Sequence, residues 1–481
     1  MSIQPNHHPM AWNNDTDIRP TDADEGLETS RPNDLKANDD ATTYSDKEIG
    51  LARDEAVIAG EHKFKQLGWK RLTICLIVKA IALGALSIPS AFASVGMVAG
   101  VILTVGIGLI AIYTSHVIGQ VVVKYPHVQH YADALKLIWG RFGYELCGAM
   151  LCCYITLLVG SHTLTGTIAF VRIVDDTALC ALVWGVVSAV ILFLLALPPS
   201  FAEFAILGYI DFVSIIAALG ITIVATGVAC NPATVEWSAW PPEDISLKSA
   251  FLSTTNIVLA YAFAVNQFSF MAEMHTPEDY IKSIWSLGVM EIVIYTISGA
   301  LIYAFVGLEV RSPALLSSGF TVSRVAFGIS LPVIFISGSI NCIVLSRYVL
   351  SRVFSNSPIQ YVTTKAGWVA WIALVAAIII ISFIIAEAVP FFNALLGLIS
   401  SLFLSGFTFY FPSLFWFLLL KDGKWSATWW NIVLSVTNVA IGIIGLAILG
   451  LGTWASVQEI VDQYASGSIS GSFTCDGSTY A

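Results

Sequence analysis

Apolar residues along this chain come in long continuous stretches rather than at the spacing of one buried helix face or one buried strand face. Eleven such runs follow residue 70, at about 72–93, 96–121, 144–171, 178–197, 203–229, 250–271, 284–306, 325–350, 367–388, 392–419 and 429–453. About 20 apolar residues cross a bilayer as a helix, whereas a soluble strand needs far fewer. The pattern therefore predicts an all-α polytopic membrane protein with 11 transmembrane helices. No soluble domain of any size fits between the runs.

Two runs are interrupted. The first carries Gly84-Ala85-Leu86-Ser87-Ile88-Pro89, a sequence expected to break a helix in mid-span, together with Lys79. The sixth carries Tyr261-Ala262-Phe263-Ala264 ahead of Asn266 and Gln267. Irregular backbone at membrane depth is tolerated where it faces protein or a water-filled cavity. Broken helices at corresponding positions of two halves mark the substrate site of many transporters. Spans one to five and six to ten are then expected to be inverted repeats, with span eleven added.

Composition agrees with a membrane protein: 56% of residues are hydrophobic, 12% are charged, and mean hydropathy is +0.78. Charge adds an orientation. With the N-terminus in the cytoplasm, the inner side receives 13 lysines and arginines after residue 61, and the outer side only Arg172, Lys248, Arg311 and Arg324. That is the positive-inside pattern. Residues 1–61 hold 14 Asp/Glu against 5 Lys/Arg and account for almost all of the net charge of −10. They are expected to form a disordered acidic cytoplasmic tail. It lacks the form of a secretory signal peptide, and it could receive regulatory proteins or modification at Lys36 or Lys47. Residues 62–453 form the transporter domain, and 454–481 an extracellular C-terminal tail.

Charged residues within the spans are costly and call for a partner or a purpose. Lys79, Asp211 and Glu291 each lie about 12 Å from the inner end of their span, at 1.5 Å per residue. A Lys79–Asp211 pair, with Ser337, Ser339 and Asn341 supplying oxygens, would place a coupling site near the inner gate. Ser161 and His162 in span three are candidates for the wall opposite the breaks. Glu273, Glu278, Asp279 and Lys282 form a charged inner loop suited to anchoring a gate. His127, His130 and Asp133 have ligand-like spacing but read as a solvated loop, and no metal or other cofactor is expected. Trp425, Trp429 and Trp430 fit an interfacial belt. Cys180, Cys230 and Cys475 fall at the outer face, where one disulfide can form between a pair that sequence does not choose.

The stretch Arg71-Leu72-Thr73-Ile74-Cys75 through Gly84-Ala85-Leu86-Ser87-Ile88-Pro89-Ser90-Ala91-Phe92 resembles the amino acid/auxin permease family. So does Phe270-Met271-Ala272-Glu273-Met274-His275-Thr276-Pro277-Glu278-Asp279-Tyr280. Within that family the likeness is to fungal neutral amino-acid permeases of the methyltryptophan-resistance type, over residues 65–450. The resemblance implies a leucine-transporter-like fold of 5+5 inverted repeats plus one span. It also implies import of neutral aliphatic and aromatic amino acids, driven by a proton gradient, with sodium as the alternative. The family commonly has an acidic residue where Lys79 stands. Backbone groups of Gly84, Ala85, Leu86 and Ser87, opposed by Tyr261, Ala262, Phe263 and Ala264, would hold the substrate's carboxylate and ammonium. Phe263 could wall an apolar side-chain pocket.

The competing reading is an amino-acid sensor with a transporter fold; its usual mark, a large structured cytoplasmic extension, is not in this sequence. An enzyme is not expected, since no nucleophile or metal constellation lies at membrane depth. The plasma membrane is the expected location, with the vacuolar membrane as the alternative.

Overall fold

The apolar runs become helices with bounds close to those read from the sequence. The computed structural model describes residues 68–174, 179–199, 204–231, 235–243, 245–272, 274–354, 364–466 and 473–477, with 233, 357, 359 and 362; the side chains of 71, 74, 75, 78–80, 82 and 204–206 lie outside this description. The acidic tail expected over 1–61 also lies outside it.

In chain order the helices are α1 (Trp69–Val95), α2 (Met97–Lys124), α3 (Tyr131–Val174), α4 (Ala181–Ala196) and α5 (Phe204–Ala229). The second half has α6 (Leu247–Ala260), α7 (Ala264–Ala272), α8 (Tyr280–Val306), α9 (Phe320–Val353) and α10 (Lys365–Ala388). It closes with α11 (Phe392–Leu420) and α12 (Trp429–Ala465), both of which pass through wide π turns. Among the described residues, nine helices are long and apolar enough to cross a membrane, and two shorter apolar ones, Leu83–Val95 and Ala181–Ala196, bring the spans to eleven. All lie in one unit, Lys63–Ala481.

The helices run alternately between two ends. Lys124, Lys282, Arg352 and Lys365 mark a basic end, and Cys180, Lys248 and Cys475 mark the other. Hydroxyl caps start three helices: Ser246, Thr364 and Thr428 accept from the backbone N–H groups of Ser249, Gly367 and Asn431 at 3.1, 3.0 and 3.2 Å. Each satisfies a donor that a helix N-terminus otherwise leaves open.

The layers follow from burial. The most apolar windows of Leu247–Ala272, Phe320–Val353 and Phe392–Leu420 are 67%, 72% and 78% buried and form the interior with α1. The flanking helices α2, α5, α10 and α12 turn residues such as Leu109, Val224, Val369 and Ile443 outward, as lipid-facing helices do. α1 packs on α8 and α6, α2 on α8 and α7, and α3 and α5 on α9. The pairing of α1 with the seventh span (α8), and of α2 with the sixth (α6–α7), is the exchange expected of two repeated halves.

Three expectations need revision. α1 is not broken; it runs as one helix through Gly84–Pro89. Pro89 lacks the N–H that would serve Ala85 O; nearby, Ser87 Oγ donates to Gly84 O at 3.0 Å and Ser90 Oγ to Ser87 O at 2.8 Å. Full enclosure by neighbouring helices supplies the packing that lets a Pro-containing segment stay helical. α3 begins at Tyr131 rather than near 144 and turns sharply at Gly140 (φ 60°, ψ −141°), a left-handed-side conformation suited to glycine. The segment 131–139 thereby becomes a short helix angled to the span, so His130 and Asp133 are not in a solvated loop. α12 continues to Ala465, twelve residues past the expected end of its span at 453.

Candidate substrate site

The interruption in the sixth span is real and local. α6 ends at Ala260, three residues turn, and α7 begins at Ala264. The remaining backbone bonds here are short-range: Tyr261 N–H to Val258 O at 3.1 Å, Val265 N–H to Ala262 O at 3.4 Å and Asn266 N–H to Phe263 O at 3.4 Å. Among the described residues no backbone acceptor meets the N–H groups of Ala262 and Phe263. The positive end of α7 and the carbonyl end of α6 therefore meet inside the bundle.

Gly84 of α1 lies directly against this point. A Cβ placed on Gly84 would sit 2.5 Å from Ala260 Cα and 2.9 Å from Ala260 Cβ. Only a residue without a side chain allows this approach. Ala85, Leu86 and Ser87 follow it, all with no exposed surface, while Tyr261 and Ala264 are equally enclosed, Phe263 is buried and Ala262 half-buried. The structure thus brings together both stretches singled out in the sequence. Their backbones differ: the α1 stretch is helical and only the sixth span is unwound.

Tyrosines frame the break. The Tyr261 ring meets the Tyr295 ring edge-on with centroids 5.3 Å apart, and Tyr295 Oη donates to Ala260 O at 3.1 Å. On the α2 side, a Cβ on Gly108 would lie 2.5 Å from Ile292 and 3.0 Å from the Tyr261 ring, so α2, the break and α8 close on one another. Glu291, one turn before Tyr295 on α8, is fully buried. Tyr295 was not legible as a site residue because one tyrosine in an apolar run gives no sign of where its hydroxyl ends.

Below the break, α7 is held toward the basic end. Gln267 Nε2 donates to Ser115 O of α2 at 2.7 Å, and Phe268 packs edge-on against Tyr131 with centroids 5.0 Å apart. Tyr131 Oη donates to Phe407 O at 2.6 Å. His130 Nδ1 lies 3.1 Å from Ser269 Oγ, and His130 N–H donates to Asp133 Oδ2 at 3.0 Å. These side chains cap a helix and clasp α7. Glu273 lies outside the described residues, and Asp279 pairs with Lys282 at 2.8 Å on its own turn.

The other predicted residues divide into two groups. Asp211 of α5 is buried and its Oδ2 accepts from Ser337 Oγ of α9 at 3.4 Å, so this part of the expected coupling cluster is assembled. Ser339 spends its hydroxyl on Phe335 O and Ile336 O within α9, and the Lys79 side chain lies outside the described residues. Ser161 bonds Leu158 O of its own helix at 2.7 Å, and His162 packs on Gly338 of α9. At the opposite end Cys180 and Cys475 form the disulfide, with Cys230 free.

The family model for "Transmembrane amino acid transporter protein" matches residues 65–458. The chain belongs to this family. A Neurospora crassa protein described as "N amino acid transport system protein" is 55% identical over 423 residues, 86% of this chain and 90% of that one. A Fusarium pseudograminearum protein described as "Transmembrane transporter" is 28% identical over 419 residues, 86% of this chain and 88% of that one. Among solved structures, a nucleobase-cation-symport-1 family transporter, closed with bromovinylhydantoin bound, superposes with a TM-score of 0.52 at 13% identity, covering 84% of this chain and 93% of that chain. That likeness establishes the fold. The protein is a multi-pass member of an amino acid transporter family with a leucine-transporter-like fold, and its relatives carry transporter names.

Proposed function

We propose that this transporter imports neutral aliphatic and aromatic amino acids together with protons, by alternating access across the plasma membrane. The observation that carries the reading is the unwound Tyr261-Ala262-Phe263 segment held against Gly84 inside the bundle. An amino acid is a zwitterion. The open N–H groups at the start of α7 suit its carboxylate, and the carbonyl end of α6 suits its ammonium. The stretch Gly84, Ala85, Leu86 and Ser87 forms the facing wall. Phe263 bounds a side-chain pocket with no charge among its immediate chain neighbours, which favours uncharged side chains.

Coupling acts on the inner gate. The Asp211–Ser337 contact between α5 and α9, with Ser339 and Lys79 nearby in sequence register, is the candidate element that opens and closes with the coupling ion. The basic end, with 13 lysines and arginines against four, faces the cytoplasm in this reading. The disulfide at the other end suits an oxidising exterior.

The test is uptake of labelled leucine and phenylalanine into proteoliposomes with an imposed pH gradient, an imposed sodium gradient, or neither. Accumulation that follows the pH gradient is the expected result. Accumulation with sodium alone overturns the proton reading, and binding without accumulation makes the protein a sensor.

A further inference from the structure

Several buried polar atoms of the helices that form or flank the break have no hydrogen-bond partner. They include Thr104 Oγ1 of α2, Asn256 Oδ1 of α6, Tyr261 Oη, and both carboxyl oxygens of Glu291. Glu291 stands apart because a carboxyl is the costliest group to leave unpaired. It has no exposed surface and neither oxygen has a partner. The expected coupling residue Asp211 differs: one of its oxygens is engaged by Ser337, and it lies on the α5–α9 contact rather than at the break. A buried acid in a membrane span is by default a candidate functional site.

We infer that Glu291 binds the coupling proton, and that Tyr295 reports its protonation to the substrate site. The inference deepens the proton-symport reading and rests on it. The geometry supplies the link. Tyr295 lies four residues from Glu291 on one face of α8, its hydroxyl donates to Ala260 O, and its ring packs on Tyr261. A tyrosine hydroxyl has one proton to donate. With Glu291 neutral, the Tyr295 hydroxyl keeps donating to the Ala260 carbonyl and holds the end of α6 in place beside Gly84. When Glu291 loses its proton, the carboxylate becomes the stronger acceptor and draws the hydroxyls of Tyr295 and Tyr261. The Ala260 carbonyl is then released and the break loosens. The proton ends on Glu291 as a carboxylic acid and leaves as the same proton, so the step balances. Proton binding favours the formed break, the formed break favours substrate, and by reciprocity substrate favours the proton.

The other titratable groups on the elements around Glu291 are the following. From the break comes Tyr261, and from α8 itself Tyr295. α2 contributes His116, stacked on Tyr280 toward the basic end, and Tyr113, which bonds Asn438 of α12. α5 contributes Asp211, bonded to Ser337, and α1 contributes Lys79, whose side chain lies outside the described residues.

The experiment measures leucine binding to purified full-length protein as a function of pH, and pH-driven uptake in proteoliposomes, for wild type, Glu291→Gln, Asp211→Asn and Tyr295→Phe. Expected for wild type is affinity that tightens on acidification by up to about tenfold per pH unit, the limit for one linked proton. Glu291→Gln, an uncharged mimic of the acid, is expected to keep the tight affinity at every pH, retain exchange and lose pH-driven accumulation. A Glu291→Gln protein whose binding profile and accumulation match wild type overturns the inference. Should Glu291→Gln fail to fold, Tyr295→Phe decides, because it keeps the ring and removes only the hydroxyl. A flattened pH profile supports the inference and a wild-type profile overturns it. Pure loss of pH-driven accumulation in Asp211→Asn with an unchanged Glu291→Gln assigns the proton to Asp211 and also overturns it. A wild type that ignores the pH gradient removes the symport reading itself, an outcome separate from failure of Glu291 alone.

Discussion

Gly84 and Ala260 meet backbone to backbone at the centre of the bundle: the nearest atom to a Cβ on Gly84 would be Ala260 Cα, at 2.5 Å. The first and sixth spans therefore touch at the residue where the sixth span stops being helical. Because the obstructing atom belongs to the main chain, no rotamer change relieves it.

Gly84→Ala is expected to separate α1 from α6. The cost expected for overpacking is about 1–3 kcal/mol. Thermal unfolding in detergent should show a lowered midpoint, and uptake should fall more steeply than binding to the cell surface or expression. Adding Ala260→Gly should restore little, since Cα remains. Full rescue by that second change would show that the contact is side chain against side chain.

Phe263 is buried in the unwound segment. As a wall of the side-chain pocket it should discriminate substrates by size. Phe263→Leu is expected to raise KM for phenylalanine about tenfold or more over any change for alanine, since one methylene in an apolar pocket is worth about 1–3 kcal/mol. Competition uptake measures the ratio. Equal changes for both substrates would make Phe263 packing alone.

The Cys180–Cys475 disulfide ties the start of α4 to the chain's last described segment, and Ala181 N–H donates to Cys475 O at 3.1 Å beside it. Cys180→Ser is expected to cost about 2–4 kcal/mol. In a Cys230→Ser background, which removes the free thiol at this end, a membrane-impermeant maleimide should label intact cells here only after reduction. Labelling restricted to permeabilised cells would reverse the orientation proposed for the termini.

His130 contributes an acid-side stability loss. Its burial lowers its pKa below the ordinary histidine value, opposed by the nearby Asp133 carboxylate. The unfolded chain then binds more protons than the folded one as pH falls through the ordinary histidine range, so stability falls with it. His130→Gln should flatten part of the decline in melting temperature between pH 7 and the lowered value. A slope identical to wild type would show that His130 does not change protonation over that range. The same variant also tests the clasp on α7, because His130 Nδ1 lies 3.1 Å from Ser269 Oγ.

The class, the number of spans and nearly all their limits are legible in the apolar runs alone. Lipid offers no partner for a backbone N–H or carbonyl, so a run of twenty apolar residues has one stable form, and its length is readable one residue at a time. The sequence also singled out the two stretches that meet. The tertiary structure decided what each one does. Gly84 to Pro89 holds the stronger breaking signal, yet it stays helical because all six of its residues are buried among neighbouring helices. Tyr261 to Phe263 holds no proline or glycine, yet it unwinds, where Gly84 presses on Ala260 and Tyr295 takes the Ala260 carbonyl. Likewise His130 reads as loop and becomes a clasp, and Glu291 reads as one charge among three and becomes the buried acid beside the break. Propensity is a property of neighbours in sequence. Whether a carbonyl keeps its helical partner or a carboxyl finds one depends on atoms far along the chain, and only the packed bundle brings those atoms into place.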